Sequence, residues 1–281
     1  MGMTIPKELA CGFRARPLDA NKRSVGTVTV VGGSAAYPHA PVISASGARA
    51  AGAGLVQLVV PQASHFAAAV LVPEATFTDL SPTCVPPRAD VTVVGMGLGV
   101  SLDTDLLLSR LLSGSTERFV VDADALNVLA RWYASKRSKK APFAGRDVVL
   151  TPHEGEAARL LGSTPDKVRA ARSDAAHEIA ARYGATVVLK GCRTLVVSAD
   201  GTRAYENATG NPFMALGGMG DLLSGALGAR WAYIKDDAFI AAASSVWLHG
   251  AAGDKVVADG LDPSLANVAA AMGSLRVMFD K

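Results

Sequence analysis

The run Asn211-Pro-Phe-Met-Ala-Leu-Gly-Gly-Met-Gly-Asp221-Leu-Leu-Ser-Gly225 joins a glycine-rich turn to an apolar stretch that begins with an acid. Gly217, Gly218 and Gly220 free the backbone to aim several N–H groups at one point, and a helix starting near Asp221 adds the positive end of its dipole. Such a turn holds a phosphate. Two readings are open for Asp221: it caps the helix, or it takes the proton from an alcohol that attacks the bound phosphate.

Other runs carry similar double readings. Thr151-Pro-His153-Glu-Gly-Glu156 follows an apolar stretch and sets a histidine and a carboxylate three apart. Together they can bind a substrate hydroxyl and hold a water or a magnesium ion, or they can cap a helix. Lys190-Gly-Cys-Arg-Thr194 links two β-branched runs. It suits a nucleotide phosphate, or it is a hairpin with two solvated cations. Gly95-Met-Gly-Leu-Gly99 lacks the last glycine of a dinucleotide fingerprint, since Val100 stands in that place. The chain contains no G-x-x-x-x-G-K-[ST], no G-x-S-x-G and no H-E-x-x-H, which removes the main support for P-loop, serine-hydrolase and zinc-peptidase chemistry.

The elements that must position these groups read as an α/β pattern. Short β-branched runs at 27–31, 55–60, 90–94, 118–121, 147–150, 186–189 and 194–198 predict strands, and their unbroken apolar character is that of a parallel sheet covered on both faces. Ala-rich segments at 40–53, 173–183 and 239–252 predict helices. Gly32-Gly-Ser34, the Gly95 turn, Asp122-Ala-Asp-Ala-Leu-Asn127, His153 and Lys190 all fall where a strand ends. Ligands of open α/β sheets bind at that carboxyl edge, so these junctions predict one composite site.

With 281 residues, 49% of them hydrophobic and 19% charged, the chain can bury a large core, and the absence of a long linker points to one domain over 1–281. A net charge of +3 does not call for nucleic acid and is compatible with an anionic nucleotide substrate. Cys11, Cys84 and Cys192 are odd in number and far apart, which fits a reducing cytoplasm and argues against zinc or a disulfide scaffold. No secretory signal or membrane-length apolar run is visible, Pro6 spoils a myristoylation site at Gly2, and Lys136-Arg-Ser-Lys-Lys140 reads as a solvated loop or helix end. A cytoplasmic protein without membrane or nucleic-acid partners is expected.

In order, Gly32-Gly-Ser-Ala-Ala-Tyr-Pro-His-Ala-Pro41, Asp122 to Asn127, Thr151 to Glu156, Lys190 to Thr194 and Asn211 to Asp221 closely resemble the ADP/ATP-dependent NAD(P)H-hydrate dehydratases, across most of the chain. The resemblance implies a ribokinase-like fold, a mostly parallel central sheet flanked by helices on both faces. It implies a repair reaction: ADP or ATP phosphorylates the ring hydroxyl of (6S)-NAD(P)HX and phosphate then leaves, giving NAD(P)H. It assigns Asp221 as the base in contact with substrate. Ala40, Gly97, Gly99 and His153 line the hydrated dinucleotide, while Lys190, Gly191, Cys192, Arg193 and Thr194 meet the adenosine phosphates. Gly218 and Gly220 hold the transferring phosphate, and Glu156, with His153 in the asparagine place of an Asn-x-x-Glu motif, organises Mg2+ through water. It also implies a homotetramer, and an NAD(P)HX epimerase supplied as a separate protein because this chain starts too close to the dehydratase motifs.

The chain departs from the family pattern at Met96, where relatives commonly have proline, at His39 for glycine, at Met219 for a smaller or hydroxylated residue, and at Asn21 for the histidine before Lys22. Met219 is expected to place a bulky side chain inside the anion turn. The alternatives are a ribokinase-like small-molecule kinase, disfavoured by the Tyr37 and Ala40-Pro41 segment, and a non-catalytic nucleotide sensor, disfavoured by the retained Asp221. Trp247 and His249 read as packing residues.

Overall fold

The computed structural model describes residues 4–113, 118–134, 141–235 and 237–280; the Lys136 to Lys140 cluster lies outside the described residues. Nine strands form one sheet: β1 (Thr27–Val31), β2 (Leu55–Val60), β3 (Thr76–Asp79), β4 (Val91–Val94), β5 (Arg118–Val121), β6 (Asp147–Leu150), β7 (Thr186–Leu189), β8 (Leu195–Val197) and β9 (Ala204–Glu206). Their order is β3-β2-β1-β4-β5-β6-β7-β8-β9, and pairing is parallel as far as β7 and antiparallel from β7 to β9.

The alternation of side chains along each strand divides the core in two. Val28 and Val30 of β1, Val56 and Leu58 of β2 and Val91 and Val93 of β4 face a layer built by α1 (Ala40–Ala50), α2 (His65–Leu71), α8 (Met219–Ile234), α9 (Ala238–Ala258) and α10 (Leu265–Phe279). Val31, Val59, Val94, Phe119 and Val121 face the other, built by α3 (Leu102–Ser113), α4 (Asp124–Ala134), α5 (Glu154–Leu161), α6 (Pro165–Ala170) and α7 (Arg172–Tyr183). Interior strands therefore read as continuously apolar because both of their faces are dry.

All seven predicted strands are present, with 90–94 starting at Val91 and 194–198 trimmed to Leu195–Val197. The sequence reading missed β3 and β9, the two edges, whose residues are mostly exposed and therefore carry no apolar run. Helix 40–53 stops at Ala50, where Gly52 takes φ 99°, and helix 239–252 runs on from Ala238 to Ala258. α8 packs against both α1 and α9, and α10 covers α9, so much of the apolar surface of these helices is buried within the chain. Trp247 is in the core as expected, edge-to-face with Phe13 at 5.5 Å and Phe279 at 5.4 Å. Among the described residues no helix is long and apolar enough to cross a membrane.

Candidate active site

The expected composite edge is formed. The segments after β1, β4, β5, β6 and β7 all emerge at the carboxyl end of the sheet, and α8 begins beside them. Gly33 N–H donates to the Met96 carbonyl at 2.8 Å, which joins the first two of these loops. Gly97 takes φ 68° where a Cβ would crowd Tyr37 and Ala40, so the backbone there lies directly against the start of α1. Gly99 N–H donates to Asp124 Oδ2 at 2.8 Å. Ala123, between two aspartates, is held at φ 52°, a left-handed conformation that a residue with a Cβ adopts at a cost and that is concentrated at functional sites.

Four ionisable groups converge behind this edge. Lys190 Nζ, its side chain 17% exposed, donates to Asp122 Oδ1 at 2.6 Å and lies 3.9 Å from Glu156 Oε2. A Cβ on Gly220 would touch that same Nζ at 3.2 Å, which sets the lysine against the first turn of α8. Burial works against the lysine's charge, but Asp122, Glu156 and Asp221 outweigh it and hold its pKa above the ordinary value. The carboxyls respond in the opposite direction: burial, reinforced by Asp122, pushes Asp221 up to about 7 against the pull of Lys190. Glu156 is also pushed up to about 7, by burial first.

Asp221 is the third residue of α8 and does not cap it; Gly218 occupies the cap position at φ 92° and supplies no side chain. The capping reading of Asp221 is thereby corrected, and among the described residues no hydrogen bond holds its carboxylate. Other helices here, α5, α6, α9 and α10, each have a side-chain cap. The N–H groups that open α8 face the glycine turn instead, and such groups bind anions. Met219 corrects a second expectation: it is only 6% exposed and packs in the core, so no bulky side chain fills the turn. Met96 is fully buried as well, against Gly32.

The capping reading holds at His153. Its Nδ1 accepts from the N–H groups of Gly155 at 2.9 Å and Glu156 at 3.3 Å, while Glu156 Oε2 accepts from His153 N–H at 2.9 Å. The ring therefore carries its proton on Nε2, 3.3 Å from Glu156 Oε1, and burial with Lys190 and Arg159 nearby lowers its pKa. The 190–194 segment is a hairpin turn, but its two cations are not alike. Lys190 is turned inward, whereas Arg193, at φ 55°, is exposed and pairs with Glu206. Gly191 and Cys192 are exposed at the tip and Thr194 Oγ1 donates to the Gly191 carbonyl at 3.0 Å, so these residues share the edge without touching the acidic cluster.

Two positioning residues were given no role of their own by the sequence. Asp122, which opens one of the strand-end junctions and family-like motifs, anchors Lys190. Asp254 of α9 accepts from Gly210 N–H at 2.9 Å and Asn211 Nδ2 at 3.0 Å, fixing the start of the glycine loop. Forty-three residues separate it from Asn211, and no local pattern marks it.

A mostly parallel sheet that gathers an uncapped glycine turn, a buried lysine and raised carboxyls at its carboxyl edge belongs to an α/β protein with the fold of a solved ribokinase-like superfamily protein from Enterococcus faecalis, at a TM-score of 0.81 over 98% of this chain and 95% of that one and 24% identity. The solved ADP/ATP-dependent NAD(P)H-hydrate dehydratase from Bacillus subtilis, co-crystallized with ATP/Mg2+, has this fold, with a TM-score of 0.84 over 99% of this chain and 100% of that one at 24% identity. The model of the NAD(P)H-hydrate dehydratase family matches residues 28–269, and the chain belongs to that family. It is 40% identical over 246 residues to the ADP-dependent (S)-NAD(P)H-hydrate dehydratase of Neisseria meningitidis, covering 87% of this chain and 81% of the relative. It is 38% identical over 255 residues to the bifunctional NAD(P)H-hydrate repair enzyme of Gloeobacter violaceus, covering 87% of this chain and 48% of that larger protein.

Proposed function

We propose that this protein is a lyase that uses ADP or ATP to dehydrate (6S)-NAD(P)HX to NAD(P)H. The observation that carries this reading is the opening of α8: an uncapped glycine turn that can hold a phosphate, followed within one turn by an unbonded carboxylate whose pKa lies near neutrality. In the first step Asp221 takes the proton of the ring hydroxyl, its oxygen attacks the terminal phosphorus, and the bond from that phosphorus to the nucleotide breaks. In the second, the carbon–oxygen bond to the new phosphate breaks and a neighbouring ring carbon gives up a proton, restoring the double bond. Phosphorylation converts a poor leaving group into a good one, which explains why a dehydration draws on a nucleotide.

Ala40, Gly97, Gly99 and the exposed Nε2 side of His153 line the hydrated ring in this reading, and Gly191, Cys192, Arg193 and Thr194 meet the adenosine phosphates. Gly218 and Gly220 cradle the transferring group, with Lys190 beside it as a fixed positive charge. Mg2+ fits this donor set through water. Glu156 already accepts from His153 N–H, but Asp122 Oδ2 is buried without a partner and can accept from a metal-bound water. No direct cage of three acidic, histidine or cysteine ligands occurs among the described residues, which suits an ion that keeps its waters and leans on phosphate oxygens. When bound it offsets phosphate charge.

Purified (6S)-NADHX, incubated with magnesium and ADP or ATP, should recover its 340 nm absorbance. With wild type the rate should rise with pH through about 7, because the base acts ionised and burial keeps it protonated below that value. Asp221→Asn should lose roughly 100- to 10,000-fold in rate and also lose this limb. Stable phosphorylated product without recovery of NADH would move the assignment to a kinase, and nucleotide binding with no turnover to a sensor.

A further inference from the structure

At the opposite, amino-terminal end of β1 and β2 lies a pocket of about 780 Å³ that takes no part in the chemistry above. Arg16, Lys22 and Arg49 line it, and Glu74 is the single carboxylate among its lining residues. Glu74 is already taken by an ion pair with Arg49. Directly behind, the Arg276 side chain packs against Arg16 across Gly52, where any Cβ would strike both. Arg16 Nη2 donates to the Gly52 carbonyl, but the Nε atoms of Arg16 and Arg276 are buried with no hydrogen-bond partner among the described residues. Among the described residues Arg276 pairs with Asp280 alone, at 3.8 Å, and that acid is claimed at 2.8 Å by Arg230.

The pocket is built and not merely decorated with surface lysines. Asn21 Oδ1 accepts from the N–H groups of Arg23 at 3.0 Å and Ser24 at 3.1 Å, a turn that presents Lys22, and the Lys22 carbonyl lies so close over Gly54 that only glycine fits beneath it. Arg49 stands at the last turn of α1. Like charges brought together this way repel one another, and an anion that enters relieves the repulsion. Guanidinium forks and an ammonium are the donors that recognise phosphate oxygens. Pro17, Val25 and Val56 supply apolar wall for an organic body, and the volume is that of a small-molecule site.

We propose that this pocket is a second binding site, distinct from the carboxyl-edge site, for a small phosphate- or pyrophosphate-bearing metabolite. Calorimetric titration of the full chain with inorganic pyrophosphate tests it. Lys22→Gln and Arg49→Gln should each weaken binding about tenfold, the loss of one charged hydrogen-bond donor. Glu74→Gln frees Arg49 and removes the opposing charge, so it should tighten binding severalfold, a gain that a misfolded variant cannot mimic. Thermal melts without ligand check that each variant is folded. Pyrophosphate affinity unchanged in all three variants, as binding confined to the glycine turn would give, or no binding to wild type at millimolar concentration, overturns the proposal.

Discussion

Asp221 is placed where a carboxylate is expensive to ionise, and that cost has a thermodynamic signature. Its folded pKa of about 7 stands above the ordinary 3.8, so between these values the folded protein binds more protons than the unfolded chain. Stability from this group is therefore full in acid, falls as pH rises from about 4 to about 7, and stays reduced above that. Asp221→Asn removes the penalty. The variant should be more stable than wild type at pH 8 by roughly 1–3 kcal/mol, with the difference closing toward pH 4. Urea denaturation at the two pH values measures it; a variant that is less stable at pH 8 would show that the carboxylate is not strained in the folded state. Gain in stability with loss of turnover is the mark of a group kept for chemistry.

The element that matters most to the site is the α1–α8 pair. Gly47 of α1 lies against the Leu222 carbonyl and Gly225 of α8 against the Ser44 carbonyl, so each helix presses a glycine onto the other's backbone. This contact sets Ala40, at the start of α1, relative to Asp221, at the start of α8. Gly225→Ala separates two effects of opposite sign. Helix propensity alone predicts a gain of about 1 kcal/mol, whereas the new methyl meets a backbone carbonyl that cannot rotate away. Overpacking costs roughly 1–3 kcal/mol and a rigid partner puts it at the upper end. Packing wins, and a lower midpoint in urea, followed by circular dichroism, is the expected result. An unchanged or higher midpoint would mean that the helices part without cost.

Across the whole molecule, segments near both ends of the described chain are tied to α8. Arg230 is 1% exposed; it donates to Asp280 at 2.8 Å and to the Gly12 carbonyl, and its guanidinium lies 4.7 Å from the centre of the Phe13 ring. Removing one partner of such a pair leaves a buried charge without compensation. Asp280→Ala should lower stability by roughly 3–5 kcal/mol, measured by urea unfolding, with the carboxyl-edge residues untouched. A loss below 1 kcal/mol would indicate that Arg276 or water takes over the role. The cationic pocket and the carboxyl-edge site lie at opposite ends of β1 and β2, so ligands at the two do not compete for space.

Seven strands and the edge to which they deliver their loops were legible in the sequence because interior parallel strands are dry on both faces, and dryness is written as unbroken β-branched runs. The glycine turn and Asp221 were legible for a related reason: backbone conformations that exclude a side chain require glycine, and glycine clusters are visible. The edge strands β3 and β9 were not, since one-sided burial leaves no such run. Whether His153 caps a helix and whether Lys190 faces solvent were undecided by type and spacing, and Met219, expected in the anion turn, lies in the core. These depend on which groups meet across the fold. Only the tertiary structure brings Asp122 to Lys190 over 68 residues and Asp254 to Gly210 over 44, and only burial among those neighbours raises the Asp221 carboxyl to about 7, where the proposed base would act.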